Sequence, residues 1–289
     1  MKVSDILNNK RLSLSFEVFP PKSDSSFDSV KEATEKIASL SPSFMSVTYG
    51  AGGGTSRYTV EIARNIQEKY GVPTLAHLTC VSSTKETVRE RIEDMRAVGI
   101  KNVMALRGDI PVGMENASRD YKYAIELIRE LRESEGDFCI GGACYPEVHP
   151  ESISPAHDLM YLKEKVDAGL DFLTTQMLFD NELYYKFLEK ARGAGIVLPI
   201  IPGVMPITRA NQVERAIALS GSFVPKQLLS LVDRYGSDPV EMTQAGVDYA
   251  TKQIIDLFES GVKNVHVYSM NKPEVASTIL NNLSKILGE

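Results

Sequence analysis

The chain contains no tryptophan, three cysteines and four histidines among its 289 residues. Cys80, Cys139 and Cys144 lack the paired spacing that holds zinc and are too few for a four-thiolate iron–sulfur cluster. Any disulfide scheme leaves one thiol over, which points to a reduced, cytoplasmic setting. The histidines form no HxH or HExxH pair, so a metal-dependent lyase or hydrolase rests only on the loose grouping of His77, His149, Glu147 and Asp109. No run approaches the roughly 20 apolar residues of a membrane-crossing helix, and Met1 to Lys10 is too polar for a signal peptide. Nor is positive charge in excess. Asp and Glu outnumber Lys and Arg 38 to 32, for a net charge of −6, and the basic residues are interleaved with acidic ones, as in Lys85-Glu86 and Arg89-Glu90-Arg91. That balance speaks against a nucleic-acid partner.

What is present is an ordinary globular composition, 43% hydrophobic and 24% charged, with no linker or low-complexity tract to divide residues 1–289 into more than one domain. Short β-branched or aromatic runs alternate with amphipathic stretches. The pattern predicts strands over 12–19, 43–49, 73–79, 101–107, 137–145, 171–178, 197–204 and 263–270. Eight such repeats point to an α/β fold of the (β/α)8 barrel type, with a doubly wound open sheet as the structural alternative. Ser83-Thr84-Lys85-Glu86 has capping-box spacing. Ser154-Pro155 fits an N-cap and first helical position, with Gly169 closing that helix. Lys272-Pro273 opens the last helix, with Val275, Ile279, Leu283 and Ile286 expected to face inward. Residues 208–260 hold more helix than one crossover needs, including a segment near Pro225 to Tyr235, which implies an extra helix before the eighth strand.

In a barrel of this type the active face lies at the strand C-termini. Polar residues sorted by that rule are Glu17, Thr48, Tyr49, His77, Arg107, Asp109, Tyr145, Glu147, His149, Gln176, Asp180, Tyr268 and Asn271. Glu17 lies in Ser15-Phe16-Glu17-Val18-Phe19-Pro20-Pro21, where a buried carboxylate is costly unless paired, neutralised or used. Its apolar flanks favour the protonated form that a general acid needs near neutrality; a structural ion pair is the plainer alternative. Asp109, after Arg107-Gly108, suits catalysis or a simple turn cap. Gly50-Ala51-Gly52-Gly53-Gly54-Thr55 follows a strand but misses G-x-G-x-x-G at Thr55, which disfavours a dinucleotide-binding half and leaves a ligand-approach loop or a plain turn. Lys165, one turn from Tyr161 and two from Asp158, is by spacing alone a solvated helical partner.

Seven phrases taken together resemble the methylenetetrahydrofolate reductase family: Ser15 to Pro21, Ser46-Val47-Thr48-Tyr49-Gly50-Ala51, His77-Leu78-Thr79-Cys80, Ala105-Leu106-Arg107-Gly108-Asp109, Tyr145-Pro146-Glu147-Val148-His149-Pro150, Lys165-Val166-Asp167-Ala168-Gly169 and Ile201-Pro202-Gly203-Val204-Met205-Pro206. The resemblance implies a barrel with non-covalent FAD that passes hydride from NADH or NADPH to 5,10-methylenetetrahydrofolate, giving 5-methyltetrahydrofolate. It implies Glu17 as the general acid that opens the methylene bridge and Asp109 as a catalytic residue touching pterin and flavin. It further implies Thr48, Tyr49, Ala51, His77, Leu106, Arg107, Gly108, Asp109, Ala124, Ala143, Tyr145, His149, Asp158 and Lys165 as cofactor contacts, the last as a cation for the FAD phosphates. Glu17, Asp109, Gln176, Gln212, Tyr268 and Lys272 are the implied folate contacts, with Thr48 also at the nicotinamide. A homo-oligomer is implied as well. Lys272 replaces an arginine of bacterial relatives, and Ala216 an aromatic found in some of them. These departures motivate an alternative in which the chain is the flavin subunit of a larger electron-transfer complex fed by an iron–sulfur partner. The regulatory region of longer eukaryotic members has no counterpart here, so control by S-adenosylmethionine through it is not expected.

Overall fold

Eight parallel strands close into a barrel in the computed structural model, which describes residues 1–9, 11–21, 24–49, 56–110, 113 and 119–288. They are β1 (Ser13–Val18), β2 (Met45–Val47), β3 (Thr74–Thr79), β4 (Asn102–Leu106), β5 (Cys139–Cys144), β6 (Phe172–Leu178), β7 (Ile200–Val204) and β8 (Asn264–Tyr268), neighbours in chain order, with β8 pairing back onto β1. Each lies within its expected segment, and closure rules out the open sheet. The helices are α1 (Val3–Leu7), α2 (Phe27–Ala38), α3 (Ser56–Tyr70), α4 (Lys85–Ala97), α5 (Ala124–Glu133), α6 (Pro155–Asp167), α7 (Asn181–Gly193), α8 (Asn211–Ser220), α9 (Lys226–Tyr235), α10 (Pro239–Glu259) and α11 (Pro273–Leu287).

The caps follow local chemistry. Ser154 Oγ accepts from the His157 N–H at 3.3 Å with Pro155 behind it, and Gly169 at φ 120° ends that turn. At α4 the cap falls one residue later than the sequence spacing implied: Thr84 Oγ1, not Ser83, accepts from Thr87 N–H at 3.2 Å. On α11, Val275, Ile279 and Leu283 are buried, but Ile286 is 38% exposed. The helical period carries the inward stripe from Leu283 to Leu287, four residues on, and leaves Ile286 at its margin.

Most of the core lies between strands and helices, where Phe16, Val18, Met45, Val47, Leu78 and Val103 meet Ile37, Ile62, Ile92 and Ile128 on the surrounding helices. A second apolar cluster fills the barrel's N-terminal end. Val3 and Leu7 of α1 join Phe44, Leu75, Met104, Cys139, Phe172 and Ile201 there. Asn102 ties this plug in place, accepting from Val3 N–H at 2.7 Å and donating to Thr74 O at 3.0 Å. Gly141 of β5 makes room for the Phe172 ring, which a Cβ would approach to 2.5 Å. Between β7 and β8 the expected extra helix is α9, and α8 and α10 accompany it around a small core of Phe179, Ile207, Val213, Ala216, Leu228 and Met242.

Leu7→Ala should destabilise the protein by about 2–5 kcal/mol, because it opens a cavity in the barrel plug. Ile286→Ala should stay within about 0.5 kcal/mol. Urea unfolding midpoints of the two variants check both values.

Candidate active site

The pleat of β1 decides where its carboxylate goes. Successive strand residues point to opposite faces, so Phe16 and Val18 enter the outer core while Ser13, Ser15 and Glu17 face the barrel interior. Glu17 is 7% exposed, yet its surroundings are polar, and the apolar flanks noted in the sequence lie on the other face. Ser46 Oγ donates to Glu17 Oε2 at 3.3 Å, while His77 Nε2 and His266 Nε2 stand 3.6 and 4.0 Å from the same oxygen. His266 is gripped at both nitrogens, by Ser15 Oγ at Nδ1 (2.7 Å) and Ser46 Oγ at Nε2 (3.1 Å). Phe44 stacks on its face with ring centroids 5.7 Å apart and planes 6° apart. Burial pushes the proton affinity of His77 down; Glu17 opposes this and His266 adds to it.

Above these groups a cleft of about 210 Å³ opens at the strand C-termini. Leu75, Met104, Leu106 and Ala143 give it an apolar floor, and Thr48, His77, Tyr145, Gln176, His266 and Tyr268 give it polar walls beside Glu17. The register of β6 against β7 shifts between Thr174 and Met177. This irregularity brings three consecutive residues, Thr174, Thr175 and Gln176, into the lining. Gln176 Oε1 accepts from Met177 N–H at 2.9 Å, so its NH₂ group is left for the cleft. Tyr268 lies across the wall and donates to Thr175 O at 2.7 Å. Gly203 permits this, since a Cβ there would come within 2.6 Å of the Tyr268 ring. Burial raises the Tyr268 phenol well above its ordinary range and the Tyr145 phenol to about 12, so both are hydrogen-bond donors at neutral pH.

A second group runs from the end of β4 to α6. Arg107 forks onto Glu151 at 2.5 and 2.7 Å, which holds that carboxyl below its ordinary range. Gly108, at φ 82°, packs against Thr79, whose Cβ an added methyl would approach to 2.9 Å. Asp109 is exposed at the mouth, close enough for its charge to act on Arg107 and Tyr145. The Tyr145 and His149 rings meet edge to face at 4.6 Å. The His149 backbone N–H donates to Asp158, and burial nonetheless raises that carboxyl. Lys165 is half-buried rather than solvated, with Nζ donating to Ala143 O at 2.8 Å; burial lowers its proton affinity, and Asp158 opposes this. Ala124 opens α5, and Tyr49 follows β2 half-buried. Ala51 and the rest of the Gly50 to Thr55 segment lie outside the described residues.

Several sequence-nominated residues stand apart from the cleft lining. Gln212 Oε1 accepts from Thr208 N–H, Thr208 Oγ1 and Arg209 N–H, so its carbonyl closes its own loop. Lys272 Nζ donates to Thr208 Oγ1 at 2.5 Å. Ala216 is buried in the α8–α10 core. Asp180 caps α7, and Asn271 clasps Phe19 through both its backbone groups at 2.8 and 2.9 Å. Glu147 Oε2 accepts from Phe223 N–H at 3.0 Å, with burial raising the carboxyl. Among the described residues no group of three or more His, Cys, Asp or Glu side chains is arranged to hold a metal. The sequence reading missed His266, Thr174 and Thr175 and named Ser46 only within a phrase. The alternation Asn264, His266, Tyr268 against Val265, Val267 would have nominated His266; no local signal marks the β6 irregularity.

Gly203→Ala should displace the Tyr268 ring and cost about 1–3 kcal/mol of overpacking. Urea unfolding checks the loss of stability, and near-UV circular dichroism checks the tyrosine's movement.

Comparison with known proteins places this site in context. Residues 2–284 match the family model described as methylenetetrahydrofolate reductase. The 5,10-methylenetetrahydrofolate reductases of Pectobacterium carotovorum and Escherichia coli are 35% and 34% identical over 273 residues, covering 94% of this chain and 90% and 91% of theirs. Methylenetetrahydrofolate reductase (NADH) 1 of Zea mays is 34% identical over 298 residues, covering 99% of this chain. The chain spans about half the length of that plant relative, the covered share being 50%. Among solved structures, a Clostridium thermocellum protein described as binding two copies of 5-methyl-5,6,7,8-tetrahydrofolic acid superposes with a TM-score of 0.68 at 16% identity, over 99% of this chain and 100% of its own; the likeness is one of fold.

Proposed function

The chain belongs to the methylenetetrahydrofolate reductase family, and we propose that it reduces 5,10-methylenetetrahydrofolate to 5-methyltetrahydrofolate, using NADH or NADPH and a non-covalently bound FAD. The observation that carries this reading is a buried carboxylate, Glu17, opening onto a cleft with an apolar floor and donor-bearing walls. Such a site suits a flat heterocycle that must be protonated while bound.

The residues fit a flavin. Leu106, Ala143 and Met104 offer an apolar bed at the strand ends. Lys165 is a half-buried ammonium whose hydrogen bond to Ala143 O uses one of its three hydrogens. Two remain for an anion such as a diphosphate. Arg107, His149 and Asp158 adjoin it, and Gly108 lets the turn after β4 pack directly on Thr79. When bound, the flavin supplies the hydride chemistry.

The chain itself supplies orientation and a proton. Gln176, with its NH₂ free, and Thr48 would fix the heterocycles that enter in turn. Glu17 protonates the amine nitrogen released as the methylene bridge opens, giving the electrophilic iminium. Asp109 at the mouth would meet the pterin edge, and Lys272 with Arg209 at the β7–β8 rim would attract the substrate's carboxylates.

Glu17→Gln should retain FAD and its reduction by the nicotinamide, yet lose folate reduction by about 10²-fold or more. Stopped-flow measurement of the two half-reactions checks this, and near-normal folate turnover would sink the role. Lys165→Met should weaken FAD retention, read by equilibrium dialysis and visible absorbance, without unfolding the barrel.

A further inference from the structure

Glu151 lies outside the cleft lining with its side chain 58% exposed, yet it touches two of the side chains beside Lys165. Its place is set by the chain around it. Val148, a β-branched residue, sits at φ 77°, in the left-handed region such residues avoid. The Val148 N–H donates to Tyr145 O at 3.1 Å, and the Ser152 N–H closes a turn onto His149 O at 2.8 Å, with Pro150 and Glu151 as its central residues. Strain of this kind persists only where the surroundings over-determine the backbone. The loop after β5 therefore offers Glu151 from a fixed base.

Hydrogens then decide what each neighbour presents. The Arg107 side chain is 19% exposed, and its Nε donates to Gly108 O at 3.2 Å. One hydrogen of each terminal nitrogen goes to Glu151, at 2.5 and 2.7 Å. A guanidinium held in this way is fixed in its plane, and its two other terminal hydrogens have no acceptor among the described residues. The Glu151 backbone N–H donates to His149 Nδ1 at 3.1 Å. That nitrogen is therefore unprotonated, and the neutral ring carries its hydrogen on Nε2, which also has no acceptor among the described residues. Burial and the charge of Arg107 lower the proton affinity of His149 and keep it neutral. Lys165 acts on His149 by charge as well, so the unused donors of all three residues belong to one neighbourhood.

We infer that Glu151 is a positioning residue for an anion cradle: its carboxylate aims Arg107 and its backbone N–H sets the tautomer of His149, so that both donate, with Lys165, to the diphosphate of FAD. The inference rests on the flavin proposed above. Without the Glu151 carboxylate the guanidinium keeps only its Gly108 contact, and the other carboxylate whose charge reaches it is Asp109. Arg107 then turns toward Asp109 and away from the phosphates. The sign of the effect separates this from a simple field. Neutralising a carboxylate near a bound anion removes repulsion and, by Coulomb's law alone, tightens the anion. Losing an aimed fork does the reverse.

The test compares the full-length wild-type protein with Glu151→Gln, which keeps the backbone N–H and removes the charge. The ion pair is partly exposed, so the barrel should stay folded without it. The dissociation constant for FAD, read by quenching of flavin fluorescence, should rise about tenfold, while riboflavin, which has no phosphate, should bind as it does to wild type. Unchanged or tighter FAD binding would overturn the inference. So would an equal loss for riboflavin, which marks a disturbed loop instead of a misaimed fork. In ¹⁵N spectra of labelled histidine, wild-type His149 should be protonated at Nε2 alone, and an Nδ1–H signal in its place would contradict the assigned tautomer and with it the cradle. If the wild-type protein takes up no FAD, inorganic diphosphate is the probe. Diphosphate binding that weakens in Glu151→Gln keeps the cradle and removes the flavin; absent or indifferent binding removes both.

Discussion

The alternation of β1 within a closed barrel is the constraint on which the site depends. Phe16 and Val18 must be covered by helices, and burying them turns Ser15 and Glu17 toward the axis. A slip of one residue would exchange the two sets and put two large apolar groups in the cleft. The register is fixed from both sides, with Glu17 opposite Ser46 on β2 and opposite Tyr268 on β8. The same pairing that makes the barrel therefore brings the carboxylate to its hydroxyl and imidazole partners. Fold stability and site chemistry are set by one alternation.

Space for a ligand arises by subtraction and by irregularity. Gly141 lets Phe172 cross the barrel beneath the cleft, where α1 closes the N-terminal end. Gly203 lets Tyr268 lie against Thr175 O. The break in the β6–β7 register turns Gln176 inward beside two threonines. On the far side, Lys165 and Arg107 bring two cations to a half-buried region next to the apolar floor. A flat group with an anionic tail suits both halves at once, and the proposal of FAD and folate on one face rests on that.

The eight strands were legible because most are short β-branched or aromatic runs recurring at a near-regular interval; their ends shifted by at most three residues, as frayed edges do. Glu17, His77, Tyr145, Gln176 and Tyr268 were legible as polar residues at strand ends, and the structure brings them to one cleft. The chemical surroundings of Glu17 were not, since neighbours in sequence lie on opposite faces of a strand and its true neighbours come from β2, β3 and β8. Lys165 looked solvated by helical spacing alone, but α6 packs that side against β5 and its ammonium reaches Ala143 O. Asn271 and Asp180 look functional by position, while their hydrogen bonds show a clasp and a helix cap.

The most direct test of the proposed chemistry is an anaerobic visible spectrum of the purified protein supplied with FAD, titrated with NADH or NADPH and then with 5,10-methylenetetrahydrofolate. Flavin bands should bleach with the nicotinamide and return with the folate as 5-methyltetrahydrofolate forms. A protein that takes up no flavin, or whose reduced flavin is left unchanged by the folate, would contradict it.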